Sequence, residues 1–295
     1  MKAPVLLRSM LFAPAHEARK VARLATSGAD AVVLDLEDAV ATERKAEARD
    51  AARGALPTLG GLFRVVRVNG LASGLTADDL AAVVCDALDA IVLPKAETEA
   101  DLARLEALIV KAEAANGVPT GSVGVIALVE SAAGIAQAGG IARAGGRLIG
   151  MAFGSADLGT DLGLPRLRGD LTPALAYGRA KLVYDARGAG LPCPVDGPFL
   201  DIRDGAAFEA DCRVSAALGF RGRICIHPDQ VAIANRAYAP DEAEVALARR
   251  VVAAFAEAGA SGSAAIAVEG IFVDAPVARK AAEIVALADA IAAKG

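Results

Sequence analysis

Short apolar runs alternate with longer, Ala-rich segments along most of the chain. Eight of these runs are rich in apolar and β-branched residues and stop at polar or charged groups: LLRSMLFA, DAVVLDLED, LFRVVRVN, DAIVLPKAE, VGVIALVE, RLIGMAFG, LPCPVDG and GRICIHP. Runs that are apolar at nearly every position predict strands buried on both faces, as in a parallel sheet. The pattern therefore predicts eight parallel strands.

The segments between the runs carry apolar residues at helical spacing, with Arg, Glu and Asp on one face. This pattern is typical of helices that cover a sheet. The predicted helices span His16–Ser27, Glu43–Leu56, Thr76–Leu88, Thr98–Asn116, Ser131–Ala144, Pro173–Gly190 and Gly205–Leu218. Eight strand–helix units in about 230 residues match the size of a (β/α)₈ (TIM) barrel. A doubly wound sheet is the alternative, but the chain has neither G-x-G-x-x-G nor a G-x-x-x-x-G-K-[ST] phosphate loop.

The chain beyond the eighth run breaks this alternation. The elements predicted there are helices at Asp229–Arg236 and Asp241–Glu257, a small-residue linker AGASGSAA, a hairpin turning at Glu269-Gly270, and a helix at Pro276–Ala293. We assign residues 1–258 to the barrel. Residues 259–295 are too few for an independent domain, so we expect a hairpin–helix segment that docks on its own barrel or on a neighbour's.

Composition and charge exclude several classes of protein. The chain has 295 residues and a net charge of −5 with both signs interspersed, and no basic or aromatic cluster suggests nucleic-acid binding. No apolar run approaches the ~20 residues of a membrane-spanning helix, and the amino-terminal patch reads as a strand and not as a signal peptide. The cysteines form no Cys-x-x-Cys pair, which favours a reduced cytoplasmic protein; they are Cys85, Cys193, Cys212 and Cys225.

Two carboxylates stand at the ends of neighbouring runs. Run five ends on Glu130, and run six reaches Asp157 after a Gly-Ser-Ala turn. Because adjacent parallel strands end at the same edge, both acids should lie together, where they could hold a hard cation such as Mg²⁺. The alternative is that Glu130 caps the following helix and Asp157 is a polar turn residue. The pair in this register favours the metal.

Polar groups also end the other runs, as a barrel with its chemistry at the carboxyl face requires. They are His16, Glu37, Asp38, Arg67, Asn69, Lys95, Glu97, Asp196 and His227. Arg67 faces the same side as Val65, with Asn69 one step further, and could bind a substrate carboxylate bidentately. A structural ion pair of Arg67 with Glu37 or Asp38 is the alternative, and Asp35 is expected to make a structural bond.

The ordered motifs of the chain resemble those of a known family. They are RSMLFAPAHEARK, DAVVLDLEDAV, RVN, VLPKAE, ALVESAAGI, FGSADLGTDLG, GRICIHPDQ and VDAP. Together they resemble the citrate lyase β-subunit-like (CitE-like) family of the HpcH/HpaI aldolase and citrate lyase superfamily, whose members include malyl-CoA and citramalyl-CoA lyases. Each motif is weak alone, whereas the ordered set is specific to the family but not to one substrate.

The resemblance implies a role for each matching residue. It implies a TIM barrel with Mg²⁺, or alternatively Mn²⁺, bound by Glu130 and Asp157. The implied catalytic residues are Arg67, Glu37, Asp38 and Asp274, the last on a C-terminal lid that reaches a neighbouring subunit in a homotrimer or hexamer. The expected substrate contacts are Arg67, Lys95, Gly154, Ser155 and Ala156. The expected coenzyme A contacts are Arg8, Phe12 and Arg19, although AHEAR in the first loop departs from the family's usual Gly after the Pro.

The implied reaction is reversible cleavage of a 3-hydroxyacyl-CoA, such as malyl-CoA or citramalyl-CoA, to acetyl-CoA plus glyoxylate or pyruvate. The alternatives are a citrate lyase β subunit acting on a citryl thioester and a malyl-CoA thioesterase or malate synthase. A CoA-independent aldolase of the HpaI type is a further alternative, which the C-terminal segment and Asp274 disfavour. A non-catalytic binder of CoA or keto acid would have no need of a positioned acid.

Overall fold

A computed structural model of the chain describes residues 6–165, 172–192, 194–260 and 263–294. Its first eight strands pair in parallel, each with the next, and β1 pairs with β8 to close the barrel. The strands are β1 (Ser9–Pro14), β2 (Ala31–Asp35), β3 (Phe63–Arg67), β4 (Ala90–Leu93), β5 (Gly124–Val129), β6 (Leu148–Phe153), β7 (Val195–Asp196) and β8 (Gly222–Cys225). The predicted TIM barrel and its eight strands are confirmed. Cys193 in the seventh run lies outside the described residues.

Helices follow the strands and cover the outside of the barrel. They are α1 (Ala18–Leu24), α2 (Lys45–Ala55), α3 (Thr76–Val83), α4 (Glu99–Asn116), α5 (Ala132–Arg143), α6 (Ser155–Asp161), α7 (Thr172–Gly188), α8 (Gly205–Leu218) and α9 (Pro228–Ala237). The pattern predicted all of these except α6, which is too short to show a helical period. Helix α4 begins in a capping box of Thr98 and Asp101, which matches the predicted start at Thr98.

Two layers of apolar side chains surround the sheet. The larger cluster fills the space between strands and helices, with members such as Leu34, Val66 and Phe153. The smaller cluster fills the inside of the barrel and contains Met10, Ala31, Val33, Val65, Ala90, Val92, Ile126, Leu128, Ala152, Val195 and Ile224. Since successive strand residues face opposite sides of the sheet, every strand except β7, which has Asp196 next to Val195, supplies both layers. This explains why the runs are apolar at almost every position.

The C-terminal part of the chain, from Ala239, forms a second compact unit. It contains α10 (Glu242–Ala260), the antiparallel strands β9 (Ile266–Val268) and β10 (Ile271–Val273), and α11 (Ala275–Lys294). The predicted hairpin turn at Glu269-Gly270 is confirmed, with positive φ angles of 49° and 81°. Its small core joins the hairpin to both helices and contains Ala248, Val251, Val273 and Ala281. Helix α10 belongs to this unit, and the boundary at residue 258 stays a prediction. Ser261 and Gly262 of the linker lie outside the described residues.

No helix in the described part of the chain is both long and apolar enough to cross a membrane.

Candidate active site

The inward-facing positions of three strands change from apolar to charged at the carboxyl end of the barrel. Val33, Val65 and Leu128 lie in the interior cluster. Two residues further along each strand, on the same side, are Asp35, Arg67 and Glu130. The strand register places Asp35 directly beside Arg67. The alternation of the sheet thus carries charged side chains into the top layer of the barrel.

These side chains line a cavity of about 380 Å³ at the carboxyl ends of the strands. Its lining combines charged groups and Gly154 with apolar side chains such as Phe12, Leu128 and Ile224. The residues that line it are Phe12, Ala13, Pro14, Lys20, Asp35, Asp38, Ala39, Arg67, Leu128, Glu130, Gly154, Ala156, Asp157, Pro198, Ile224 and Ile226. A concave site with an apolar wall and a few convergent charges is typical of a small-molecule site.

Glu130 and Asp157 face this one cavity, as the spacing of the runs predicts. Glu130 is only 4% exposed, and the backbone N–H of Lys95 donates to its Oε1 at 2.9 Å. Burial, then the carboxylates of Asp157 and Glu37, raise the pKa of Glu130 to about 8. Two carboxylates that face one cavity repel each other. A divalent cation that binds both through their oxygens relieves that repulsion. The donor set therefore fits Mg²⁺.

The helix-cap alternative for Glu130 is wrong. The Oγ of Ser131 accepts the N–H of Gly134 at 3.0 Å and so caps α5. Asp157 lies in the first turn of α6 and not in an irregular turn. Gly154 lets Glu130 pack against the end of β6, since a Cβ there would lie 2.2 Å from the Cβ of Glu130.

Glu130 and Asp157 would supply only two carboxylates to a metal ion. The described residues contain no group of three or more His, Cys, Asp or Glu side chains that could hold a metal ion. Mg²⁺ retains several waters and binds through one or two carboxylates plus substrate oxygens. A two-carboxylate site is thus compatible with Mg²⁺ and leaves positions for substrate.

Arg67 is held in place by acids on strand β2 and the loop after it. Its Nε and Nη2 each donate to one carboxylate oxygen of Asp35 at 2.7 Å, and its Nη1 lies 3.1 Å from Oε2 of Glu37. Its guanidinium also lies 5.4 Å above the ring of Phe12. Burial opposes the charge, but Asp35 and then Glu37 more than offset it and raise the pKa of Arg67. Arg67 is therefore a fixed cation that also lines the cavity.

The loop after β2 adds a second charged layer. Glu37 is buried, whereas the side chain of Asp38 is 54% exposed. The Nζ of Lys95 donates to Oε1 of Glu37 at 3.0 Å. Burial is the main reason that the pKa of Glu37 is raised, despite the nearby Arg67 and Lys95. Lys95 has a positive φ of 51°, a strained conformation that directs both its N–H and its ammonium toward the acids.

Comparison with known proteins identifies the family. The family model described as HpcH/HpaI aldolase/citrate lyase matches residues 8–228. The chain belongs to this family. It is 37% identical over 287 residues to the citrate lyase subunit beta of Leuconostoc mesenteroides subsp. cremoris, covering 97% of this chain and 94% of that relative. It is also 37% identical over 306 residues to an L-malyl-CoA/beta-methylmalyl-CoA lyase of Cereibacter sphaeroides, covering 97% and 96%.

A solved structure shares the whole architecture. The crystal structure of protein CitE from Mycobacterium tuberculosis, in complex with magnesium, acetoacetate and coenzyme A, is 35% identical. It covers 95% of this chain and 97% of its own, with a TM-score of 0.75. The resemblance of the motifs to the HpcH/HpaI family is thus confirmed.

The three coenzyme A contacts suggested by the HpcH/HpaI resemblance lie in different places. Arg8 precedes β1, at the opposite end from the cavity, and its guanidinium donates to both oxygens of Asp30 at 2.7 and 2.9 Å. Arg8 is buried in this ion pair and does not line the cavity, and its expected contact with coenzyme A stays a prediction. Phe12 lines the cavity, and Arg19 is exposed on α1. Sequence reasoning missed Lys20, one residue on, which lines the cavity.

The three expected substrate contacts between β6 and Asp157, which are Gly154, Ser155 and Ala156, also differ in their position. Gly154 and Ala156 line the cavity, but the Oγ of Ser155 donates to the carbonyl of Pro198 at 2.9 Å. The expected substrate contact of Ser155 stays a prediction, since Ser155 makes this bond and does not line the cavity. Lys95 does not line the cavity; its Nζ bonds Glu37 and lies 3.9 Å from Oδ1 of Asp38, which does line it.

Four strand-end groups serve the structure instead of the cavity. Asn69 donates to Asp79 through both its backbone and side-chain N–H at 2.7 Å, and Asp196 faces buried arginines outside the barrel. Glu97 accepts the Ser131 hydroxyl at 2.6 Å, and His227 caps α9. Asp35, which the sequence predicts to make a structural bond, bonds Arg67 and also lines the cavity. Its position two residues after the inward-facing Val33 is the signal in the sequence that places it there.

Lys45 is a further residue that the pattern did not single out. Its Nζ donates to the carbonyls of Leu36 and Glu37 at 2.6 and 2.8 Å. These bonds satisfy backbone acceptors at the end of β2 and orient the loop that carries Glu37.

Asp274 lies in the C-terminal unit at the start of α11. Its Oδ1 accepts the N–H of Val277 at 3.2 Å, and its carbonyl accepts that of Ala278 at 2.9 Å. The neighbouring side chain of Phe272 is 67% exposed. The catalytic role of Asp274 stays a prediction.

Mg²⁺ binding is expected to strengthen with pH up to about 8. The pKa of Glu130 is about 8, so the metal-free site is mainly protonated at neutral pH and must lose that proton to bind a cation. The dissociation constant, measured by titration calorimetry, should fall roughly tenfold from pH 6.5 to 7.5 and level off above pH 8.5. Buffers of different ionisation enthalpy should report release of about one proton. A dissociation constant that is constant over this range would contradict the pKa.

Proposed function

We propose that this chain is a Mg²⁺-dependent lyase that cleaves a carbon–carbon bond of a 3-hydroxyacyl-CoA. Malyl-CoA or citramalyl-CoA would give acetyl-CoA plus glyoxylate or pyruvate. The observation that carries the proposal is the single cavity in which Glu130, Asp157 and Arg67 come together. Membership of the HpcH/HpaI family and relatives named as citrate lyase subunit beta and malyl-CoA lyase support the same reaction class.

The carboxylates of Glu130 and Asp157 would hold the cation, with Glu37 and Asp38 next to its waters. When bound, Mg²⁺ (or Mn²⁺, which accepts the same ligands) polarises the oxygen of the departing keto acid. The related CitE structure, which is a complex with magnesium, supports this choice of ion.

Arg67 would bind the carboxylate of the keto-acid half. Asp35 occupies its Nε and one Nη2 hydrogen, and Nη1 lies 3.1 Å from Oε2 of Glu37, so one hydrogen on each of Nη1 and Nη2 is left for a ligand. The rigid bond to Asp35 holds this edge in one orientation, so little freedom is lost when substrate binds. Gly154 and Ala156 line the same cavity, and Lys20, which also lines it, is the cation we assign to a CoA phosphate.

An acid must then exchange a proton with the methylene carbon of the departing thioester. In cleavage, the hydroxyl of the substrate would give its proton to solvent water, the carbon–carbon bond would break to leave the keto group, and the resulting enolate carbon of acetyl-CoA would take up a proton from an acid. We assign that donor to Asp274. In this proposal residues 259–295 act as a lid on a neighbouring subunit of a homotrimer or hexamer, in the cytoplasm.

The test is to incubate the protein with Mg²⁺, acetyl-CoA or propionyl-CoA, and a panel of keto acids, and to read product masses. A new 3-hydroxyacyl-CoA that EDTA abolishes and Mg²⁺ restores is the expected result. A mass for the free hydroxy acid would instead identify a thioesterase or synthase. No product from any pair, with acetyl-CoA still bound, would contradict the lyase and favour a binder.

A citrate lyase β subunit is the second candidate. The 37% identity to such a subunit over 97% of this chain favours it. That protein would act on a citryl thioester and would need its partner subunits. Turnover of free CoA thioesters by the isolated chain would decide against it, and turnover of pyruvate aldols without CoA would favour an HpaI-type aldolase.

Replacing Asp274 with alanine is expected to lower turnover by at least about 100-fold, because general acid–base catalysis contributes about 10²–10⁴. Binding of the keto acid should change little, since Arg67 remains. An Asp274→Ala protein mixed with an Arg67→Ala protein should regain activity if the lid acts in trans. If mixed oligomers form and no activity returns, the proposal that the lid acts on a neighbouring subunit is contradicted. Asp274→Asn is the control for loss of the helix cap, because it keeps the hydrogen bond to Val277 at the start of α11.

A further inference from the structure

Three buried charges and the partly buried Asp211 form a closed network between strands β7 and β8 and the helices outside them. Asp196 lies 3.1 Å from both Nη2 of Arg179 and Nη1 of Arg223. Asp211 on α8 closes the ring, at 3.0 Å from Arg179 and 2.5 Å from Arg223. Arg223 is 1% exposed and also packs on the ring of Phe208. Two fork-shaped cations between two carboxylates fix all four groups in one geometry.

The network is connected directly to the backbone at the end of β7. The Oδ1 of Asp196 accepts the N–H of Gly197 at 2.8 Å. Gly197 then runs against the β6–α6 turn so closely that a Cβ there would lie 2.5 Å from Oγ of Ser155 and 2.7 Å from its N. The next carbonyl, that of Pro198, accepts the Ser155 hydroxyl at 2.9 Å.

Ser155 in turn begins the helix that carries Asp157. Asp157 is two residues along α6, in its first turn. Gly154, on the other side of Ser155, packs against the side chain of Glu130. Three successive strand ends, β5 to β7, are thus in contact through glycine backbone and one hydroxyl. Neither Asp196 nor Ser155 faces the cavity, so both would act on it only through this path.

We propose that the Arg179–Asp196–Asp211–Arg223 network positions Asp157 and Glu130 for the metal through Gly197 and the Ser155 hydroxyl. The inference rests on the proposed metal site. Buried ion networks contribute little to stability compared with apolar packing, but they define one arrangement of the groups they join. Here that arrangement sets the separation of two carboxylates, to which cation binding is sensitive. Asp196 and Ser155 are positioning residues for the site.

The experiment measures Mg²⁺ dissociation constants by calorimetry and melting temperatures for matched pairs of variants. Ser155→Ala is matched by Ser215→Ala, which removes a buried hydroxyl that pairs with Tyr238 at 2.8 Å on the same side of the barrel. Asp196→Asn is matched by Glu113→Gln, which breaks a buried bidentate pair with Arg147 near the amino ends of β5 and β6. The controls report loss of stability alone.

Ser155→Ala is expected to raise the Mg²⁺ dissociation constant about fivefold, the effect of one lost hydrogen bond. Asp196→Asn should raise the Mg²⁺ dissociation constant more than Ser155→Ala does. Ser215→Ala and Glu113→Gln should lower the melting temperature but leave the Mg²⁺ dissociation constant within about twofold of the wild type. Unchanged Mg²⁺ affinity in Ser155→Ala, or an equal loss in Ser215→Ala, would overturn the inference, even if Asp196→Asn failed to fold. If the wild type itself bound no Mg²⁺, or bound it as Glu130→Gln does, the proposed metal site would fail instead.

Discussion

Replacing Glu130 with glutamine is expected to abolish the Mg²⁺ response and to lower lyase turnover by at least about 1,000-fold, or ~4 kcal/mol of transition-state stabilisation. The neutral amide keeps the shape of the side chain but cannot neutralise a cation. Turnover at saturating Mg²⁺ and titration calorimetry would measure both effects.

The same change should stabilise the metal-free protein at alkaline pH. Burial and the neighbouring acids raise the pKa of Glu130 to about 8, so protonation favours the folded state. This stabilisation is complete below the unfolded pKa of the carboxyl, falls as the pH rises toward 8, and is absent above it. The side chain of glutamine does not ionise, so the Glu130→Gln protein does not lose this stabilisation. Its melting temperature at pH 9 without metal should therefore exceed that of the wild type.

Asp157→Asn should behave like Glu130→Gln in the Mg²⁺ response. Glu97→Gln is the matched control. Glu97 lies between β4 and α4, accepts a hydrogen bond from Ser131 and does not line the cavity. It should retain Mg²⁺ affinity. Full activity in either Asp157→Asn or Glu130→Gln would refute the metal site.

Replacing Arg67 with alanine is expected to destabilise the protein by about 3–5 kcal/mol and to remove lyase activity. The change leaves Asp35 buried without its cation and leaves Glu37 with Lys95 alone, which is the costly way to break a buried ion pair. The loss should be smaller in acid, because burial already raises the pKa of Glu37 and its protonation removes one of the buried negative charges. Urea unfolding at pH 5 and pH 8 measures the difference.

Arg64 supplies a matched control on the same strand. It pairs with Asp89 in the same bidentate manner, but both side chains are partly exposed. Such pairs contribute at most about 1 kcal/mol, so Arg64→Ala should remain active and nearly as stable as the wild type. Arg67→Lys tests geometry, since an ammonium cannot bond Asp35 and substrate as a fork does. Equal stability losses in Arg67→Ala and Arg64→Ala would contradict the role of Arg67 as a buried anchor.

Much of the site follows from where apolar runs stop. Glu130 and Arg67 continue the inward-facing series that begins with Leu128 and Val65, so a strand prediction already places both at the top of the barrel. The same logic would have placed Asp35 in the cavity after Val33. The predicted structural bond of Asp35 is present, to Arg67, and Asp35 lines the cavity as well.

Other assignments needed the folded chain. Arg8 and Asp196 are charged groups near strand ends like Arg67, yet each is paired with a partner far along the sequence, Asp30 for Arg8 and Arg223 for Asp196. Sequence spacing gives the period of a strand but not the identity of a distant partner. Which charges meet substrate and which meet each other therefore depends on packing.

The sequence by itself determined the eight strands, the covering helices, the C-terminal hairpin and the neighbouring ends that hold Glu130 and Asp157. These features depend on local periodicity and on the rule that parallel strands end at one edge. Only the tertiary structure decided that Asp35 holds Arg67, that Ser131 and not Glu130 caps α5, and that Ser155 bonds Pro198. Those contacts join residues whose separation along the chain carries no signal, because hydrogen-bond partners are chosen by the geometry of the closed barrel.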